Sequence, residues 1–317
     1  MTIFDFPSRL AWQSILFAAC VAYGMLALLG VSIAVKPLLF LASVTCGLFG
    51  VAFVYTRWRP DPKLATCAMG AAWLLTMAAS GGTMTYPLAA IGGALWDDRF
   101  VAFEQALGLD WQAAARALSA ASWLQTLWQV TYESSLFQMA ASVLLLSFLD
   151  RRERLGAYLK MLLLSLVVTN LLSALMPAIG PLRAYGIGDD IAGSLGDAGV
   201  RHLIDFFALR EGRFTVFELY KMEGIITFPS FHCVLAVLTA WALWPVRWLG
   251  PIMAVFNALV LVSTIPQGGH YLADILSGSA IGLGALALHY ASATRRVAQQ
   301  PAAASATNAV HSAPVPG

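Results

Sequence analysis

"GIITFPSFHCVLAVLTAWALW" (residues 224–244) opens with Ser230 and His232 and then runs from Cys233 to Trp244 without a charge. About 20 apolar residues of helix span the roughly 30 Å hydrocarbon core of a bilayer, so this stretch is a membrane helix with a polar lip. Working outward, stretches of the same kind occupy residues 10–30, 37–56, 64–92, 128–149, 156–176, 229–247, 249–266 and 270–291. Hydrophobic residues make up 59% of the 317, and charged residues only 11%, against about a quarter in soluble domains. The predicted fold is all-α: a polytopic membrane helix bundle of about eight transmembrane helices, with a capping loop on its outer face.

The net charge of +2 gives no footprint for nucleic acid or for strongly acidic partners. Cys20, Cys46, Cys67 and Cys233 all fall in apolar stretches, where cysteine behaves as a small hydrophobe. The first stretch follows Arg9, is too long for a signal-peptide core and leads into further spans, so it reads as a retained helix.

Basic residues favour cytoplasmic ends. Arg57, Arg59 and Lys63 share one connection and Arg151, Arg152, Arg154 and Lys160 another. Eight spans put both on one side, together with Arg9, Arg247, Arg295 and Arg296. Both termini are then expected in the cytoplasm, in a multi-pass protein of the bacterial inner (plasma) membrane type. The opposite side receives residues 97–123, expected as an amphipathic interfacial helix, and the connection from about 177 to 228, expected to form short helices capping the bundle. His202 in that connection is expected in solvent. The predicted division is 1–119 for the N-terminal helices and interfacial helix, 120–291 for a membrane core, and 292–317 for an Ala/Ser/Pro-rich disordered tail carrying an inert His311.

Ionisable residues inside spans are costly and mark function. Asp274 stands four residues after His270 in "GGHYLADILSG", so the two share a helix face. The carboxylate can fix the imidazole tautomer and leave the other ring nitrogen free. His232 opens its span on the same outer side. Pro229 suits a first helical turn, and the amides of Ser230, Phe231 and His232 offer a helix N-terminus to an anion. Arg183 in "GPLRAYG" belongs to this face and can bind phosphate through its planar fork. An anion cradle, a cation, an oriented histidine and a second histidine suggest phosphoryl transfer: His270 as nucleophile, Asp274 orienting it, His232 as acid and then base. Gly278 and Gly282 have the spacing of close helix packing. Glu133 is explained by an interfacial position, and Lys221 and Glu223 either pair at the surface or approach the headgroup.

These residues resemble the motifs of the type 2 phosphatidic acid phosphatase superfamily, the lipid phosphate phosphatases and their phosphotransferase relatives. Its Pro-Ser-Gly-His motif is similar to Pro229, Ser230, Phe231 and His232. Its Ser-Arg, five residues, His, three residues, Asp motif is similar to Ser263, Thr264, "IPQGG", His270, "YLA" and Asp274. Thr264 replaces the motif's arginine, Phe231 its glycine, and the first motif's lysine is missing. "FPSFH" with "GGHYLAD" is most similar to the inositol phosphorylceramide synthase branch. The resemblance spans roughly residues 120 to 291 and implies a membrane enzyme that acts on a lipid phosphate or phosphodiester among membrane lipids, without metal or other cofactor. Two alternatives stay open: a metal-dependent hydrolase with His232, His270 and Asp274 as ligands, and a non-catalytic lipid-binding or transport relative.

Overall fold

A computed structural model describes residues 6–186 and 201–299, with side chains as far as Arg295. The stretch 187–200 of the long connection, and residues 300–317 with His311, lie outside the described residues. Twelve α-helices are described: α1 (Arg9–Leu28), α2 (Val35–Arg57), α3 (Pro62–Ile91), α4 (Asp97–Ala106), α5 (Trp111–Leu118), α6 (Ser122–Phe148), α7 (Arg152–Leu175), α8 (Pro181–Ala184), α9 (Leu203–Arg210), α10 (Phe231–Leu243), α11 (Leu249–Ser263) and α12 (Leu272–Gln299). A short parallel pair joins β1 (Ser32–Ile33) to β2 (Val216–Phe217). This pair ties the turn between α1 and α2 to the long connection, so both sit at one end of the bundle.

Among the described residues, five helices are long and apolar enough to cross a membrane: α1, α2, α3, α7 and α12. This is a membrane protein. α10 and α11 are shorter apolar helices, because the chain turns sharply between them. A Cβ on Gly250 would stand 2.1 Å from the Trp244 carbonyl oxygen, so the turn needs glycine there. α6 has 27 residues but interrupts its apolar run with Thr131, Ser135, Gln138 and Ser142, all buried. Its polar side faces the interior: Gln138 Oε1 accepts from Asn257 Nδ2 of α11 at 2.8 Å. Nearby, the Tyr158 and Thr239 hydroxyls join α7 to α10 at 2.8 Å. Hydrogen bonds of this kind hold helices together where lipid removes the hydrophobic drive.

The outside is apolar. Of α2 only Ala52 is fully buried, and Phe17, Phe40, Phe137 and Trp248 are each more than 70% exposed. Apolar exposure on this scale far exceeds a soluble surface and suits lipid. At the basic end, Arg154 Nε donates to the Ala242 carbonyl at 2.8 Å and a second guanidinium nitrogen to that of Trp241. The cation thus caps the C-terminus of α10, where the helix dipole favours it.

The single interfacial helix expected over 97–123 is broken in two. Gly108 takes φ +70° and ends α4, and the Asp110 carboxylate accepts from the Ala113 amide to start α5. The last helix continues to Gln299, past residue 291.

The close packing expected at Gly278 and Gly282 is present. A Cβ on Gly278 would lie 2.2 Å from the Ser230 carbonyl oxygen and one on Gly282 3.0 Å from Val237 Cβ, whereas Gly284 faces open space. Gly278→Ala is expected to cost about 1–3 kcal/mol through overpacking, and Gly284→Ala to stay within about 0.5 kcal/mol. Thermal unfolding of the two variants in one detergent checks this; equal midpoints would refute the close contact.

Candidate active site

The site is assembled where α10 and α12 begin. The Ser230 amide donates to the Asp274 carbonyl at 3.1 Å, which fastens the lip of α10 to the first turn of α12. Helix α10 opens at Phe231 with Ser230 as its N-cap residue, so Pro229 precedes the cap and does not sit in the first turn. The Ser230 amide is consumed by Asp274, and the amides that open the helix are those of Phe231, His232 and Cys233. The amides at this helix start therefore lie one residue further along than the sequence suggested.

His270 and Asp274 meet, but not on one helix face as expected: His270 lies in the loop before α12, which begins at Leu272. His270 Nδ1 lies 3.1 Å from Asp274 Oδ2, and the same oxygen accepts from the Tyr271 amide at 3.0 Å. Both side chains are buried, at 5% and 0% exposure. The loop carrying His270 winds on the Thr264 carbonyl, which accepts from the Gly268 amide at 3.1 Å and the His270 amide at 3.2 Å. Thr264, at the place of the motif's arginine, is itself fully buried. The Thr227 main chain borders the His270 ring.

Tyr132 of α6 is a residue the sequence reading missed. Its ring stacks on His232 with centroids 4.0 Å apart and planes at 20°. The point where a Cβ of Gly268 would stand is 2.6 Å from His270 Cδ2 and 3.0 Å from Tyr132 Cε2, so the tyrosine also borders His270. One aromatic ring thus stands near both imidazoles. Tyr132 adjoins Glu133, which drew attention for its charge; Glu133 is exposed and accepts from Gln129 within its own helix.

Ser230 Oγ and Asp274 Oδ1 are buried without a conventional hydrogen bond. Arg183 is placed differently. It is exposed, with its guanidinium 5.3 Å over the Phe207 ring, while its helix abuts the His270 loop: a Cβ on Gly180 would stand 3.0 Å from the Gly269 carbonyl oxygen. The structure thus brings together His232, His270, Asp274 and Ser230 and holds Arg183 over Phe207.

His202, expected in solvent, is buried, with Nε2 3.3 Å from Thr227 Oγ1. Lys221 and Glu223 do not pair with each other; Lys221 bonds Glu218 and Glu223 faces Arg201. Zinc ligation by His232, His270 and Asp274 asks for three side chains converging on one point. Among the described residues no group of three or more His, Cys, Asp or Glu is arranged to hold a metal ion.

The family profile of the PAP2 superfamily matches residues 98–288. The chain belongs to the PAP2 superfamily. The match begins at α4 and includes every residue of the site. PAP2 superfamily members are phosphatases or phosphotransferases, which fits a lipid phosphate substrate. No curated protein and no solved structure matches the chain.

In an assay of lipid phosphate turnover, Tyr132→Ala is expected to lower kcat about tenfold to a hundredfold by freeing the two imidazoles. Tyr132→Phe keeps the stack and stays near wild type; equal activity in all three proteins would show that the ring is catalytically idle.

Proposed function

We propose that the protein is a lipid phosphate phosphatase or lipid headgroup phosphotransferase that works through a phosphohistidine on His270. The observation that carries this is the His270–Asp274 contact beside His232 at the N-terminus of α10. With Nδ1 held by Asp274, the other ring nitrogen of His270 attacks phosphorus, displacing the ring's contact with the Thr227 main chain. The phosphorus–oxygen bond of the leaving group breaks, and His232 gives its proton to the departing alkoxide. His232 then removes a proton from water or a lipid alcohol. That oxygen attacks phosphorus, the phosphorus–nitrogen bond breaks and His270 is restored. The amides that open α10, the Ser230 hydroxyl and Phe231 at the first turn form the phosphoryl cradle. Arg183 swings from Phe207 onto a phosphate oxygen.

The same reading gives about eight membrane passes, with α6, α10 and α11 crossing alongside the five long apolar helices. It places both termini in the cytoplasm and the site at the outer face. The similarity to the inositol phosphorylceramide synthase branch favours a lipid alcohol as acceptor, because the "FPSFH" and "GGHYLAD" segments carry it.

Purified protein in excess chelator is expected to release phosphate or headgroup from at least one lipid in a panel of phosphates and phosphodiesters. His232→Ala and His270→Ala should each lose activity by at least about a hundredfold, and Asp274→Asn by a comparable factor. Undiminished turnover in either histidine variant would sink the mechanism. Free phosphate identifies a hydrolase; headgroup exchange that needs an added acceptor lipid identifies a transferase.

Orientation has its own test. A reporter fused after Gly317 should stay shielded from added protease in intact spheroplasts and be cut only after lysis; cleavage before lysis would reverse the assigned topology.

A further inference from the structure

Three side chains of the α4–α5 segment reach three consecutive residues of the catalytic loop. Trp111 Nε1 donates to the His270 carbonyl at 2.9 Å. Asp97 Oδ1 accepts from the Tyr271 hydroxyl at 2.9 Å. Glu104 Oε1 accepts from the Leu272 amide at 2.7 Å, at the first residue of α12, where a carboxylate also meets the favourable end of the helix dipole. Asp97 and Glu104 stand seven residues apart, so two turns of α4 present both to one side.

The same side chains also hold the strand of chain that carries Arg183. Asp97 Oδ1 accepts from the amides of Ile179 at 3.1 Å and Gly180 at 3.0 Å. Glu104 Oε2 accepts from the Tyr185 hydroxyl at 2.8 Å, and Trp111 stacks on the Tyr185 ring with planes at 10°. Asp97 and Glu104 are 6% and 1% exposed. Burial pushes the Asp97 carboxyl above its usual range, while its hydrogen-bond donors pull it down. Charges buried in this way are tolerated only where donors surround them, and here the donors come from the two segments that must face a phosphoryl group.

We infer that Asp97–Trp111 is a clamp that positions His270, with Asp97, Glu104 and Trp111 as positioning residues, and that it sets the distance between His270 and the helix bearing Arg183. The inference rests on His270 being the nucleophile. A shift of the loop is passed on directly, since Asp274 Oδ2 is shared between the His270 ring and the Tyr271 amide. On this account the catalytic unit begins at α4.

The test uses the full chain in detergent, labelled with nitrogen-15 in histidine, so that the tautomer of His270 is read without activity; His270→Ala identifies its signals. Wild type is expected to show one tautomer, protonated on Nδ1. Glu104→Gln and Asp97→Asn should broaden or split that signal, lower kcat about tenfold to a hundredfold, and leave KM nearly unchanged because neither residue touches substrate. Trp111→Phe, which keeps the stack on Tyr185 and removes only the donor to His270, should show a smaller change in the same direction and serves if the acidic variants do not fold. An unaltered His270 signal together with wild-type kcat in folded variants overturns the clamp. Full turnover by His270→Ala would overturn the functional reading instead, and the imidazole signals would still decide the clamp.

Discussion

One backbone hydrogen bond holds the site together: the Ser230 amide on the Asp274 carbonyl. It forms only because Gly278 lets the main chain of α10 come against α12, where a Cβ would overlap the Ser230 carbonyl. In lipid, helices gain little from hiding apolar surface, and close backbone approach becomes a principal source of attraction. The consequence is geometric. His232 stands in the first turn of one helix and His270 just before the first turn of the other, so fixing the two openings against each other fixes the two imidazoles. Tyr132, borne by a third helix, stacks on the His232 ring and flanks Gly268 beside His270. The far end of α10 is held separately, by Arg154 of α7 on its last carbonyls.

Sequence patterns made much of this legible. The apolar runs gave every long helix, and the i, i+4 spacing of His270 and Asp274 became a direct contact. Gly278 and Gly282 packed as their spacing implies. The opening of α10 was placed two residues early because Pro229 is a good first-turn residue, yet the chain still bends there and Ser230 becomes the cap. Tyr132 was illegible because an aromatic residue in an apolar helix has the same appearance whether it packs on an aliphatic neighbour or on an imidazole of the site. His202 was assigned to water because it lacks a motif, but burial is decided by the segments folded over it.

The acidic residues of α4 carry a different lesson. "DDRFVAFEQALGLDW" looks amphipathic, with acids on the wet side. Yet Asp97, Phe100 and Glu104 fall on one face, and all three are buried. An acidic side chain sharing a helix face with a large aromatic was the available signal. Its meaning depended on partners between 81 and 174 positions away, which no local pattern contains.

The electrostatics of the site are one-sided. Asp97, Glu104 and Asp274 are buried around the His270 loop, and their donors are main-chain amides, hydroxyls and one imidazole. At the place where the related motif carries an arginine, this chain has Thr264, whose hydroxyl is turned to the Leu261 carbonyl. On the proposed function, a phosphoryl group entering such a site would meet, among the described residues, the amides opening α10 and the His232 imidazole, and would need a cation brought from outside. Arg183 is the cation whose helix is already fastened to the loop, through Gly180 and the clamp, and its resting place over Phe207 is exposed. A cation–π contact at an exposed site is worth about 0.5–1 kcal/mol, less than a charge-assisted bidentate bond to phosphate. On the proposed function, that difference would carry Arg183 from Phe207 to a phosphate oxygen with no driving force beyond the charge of the substrate itself.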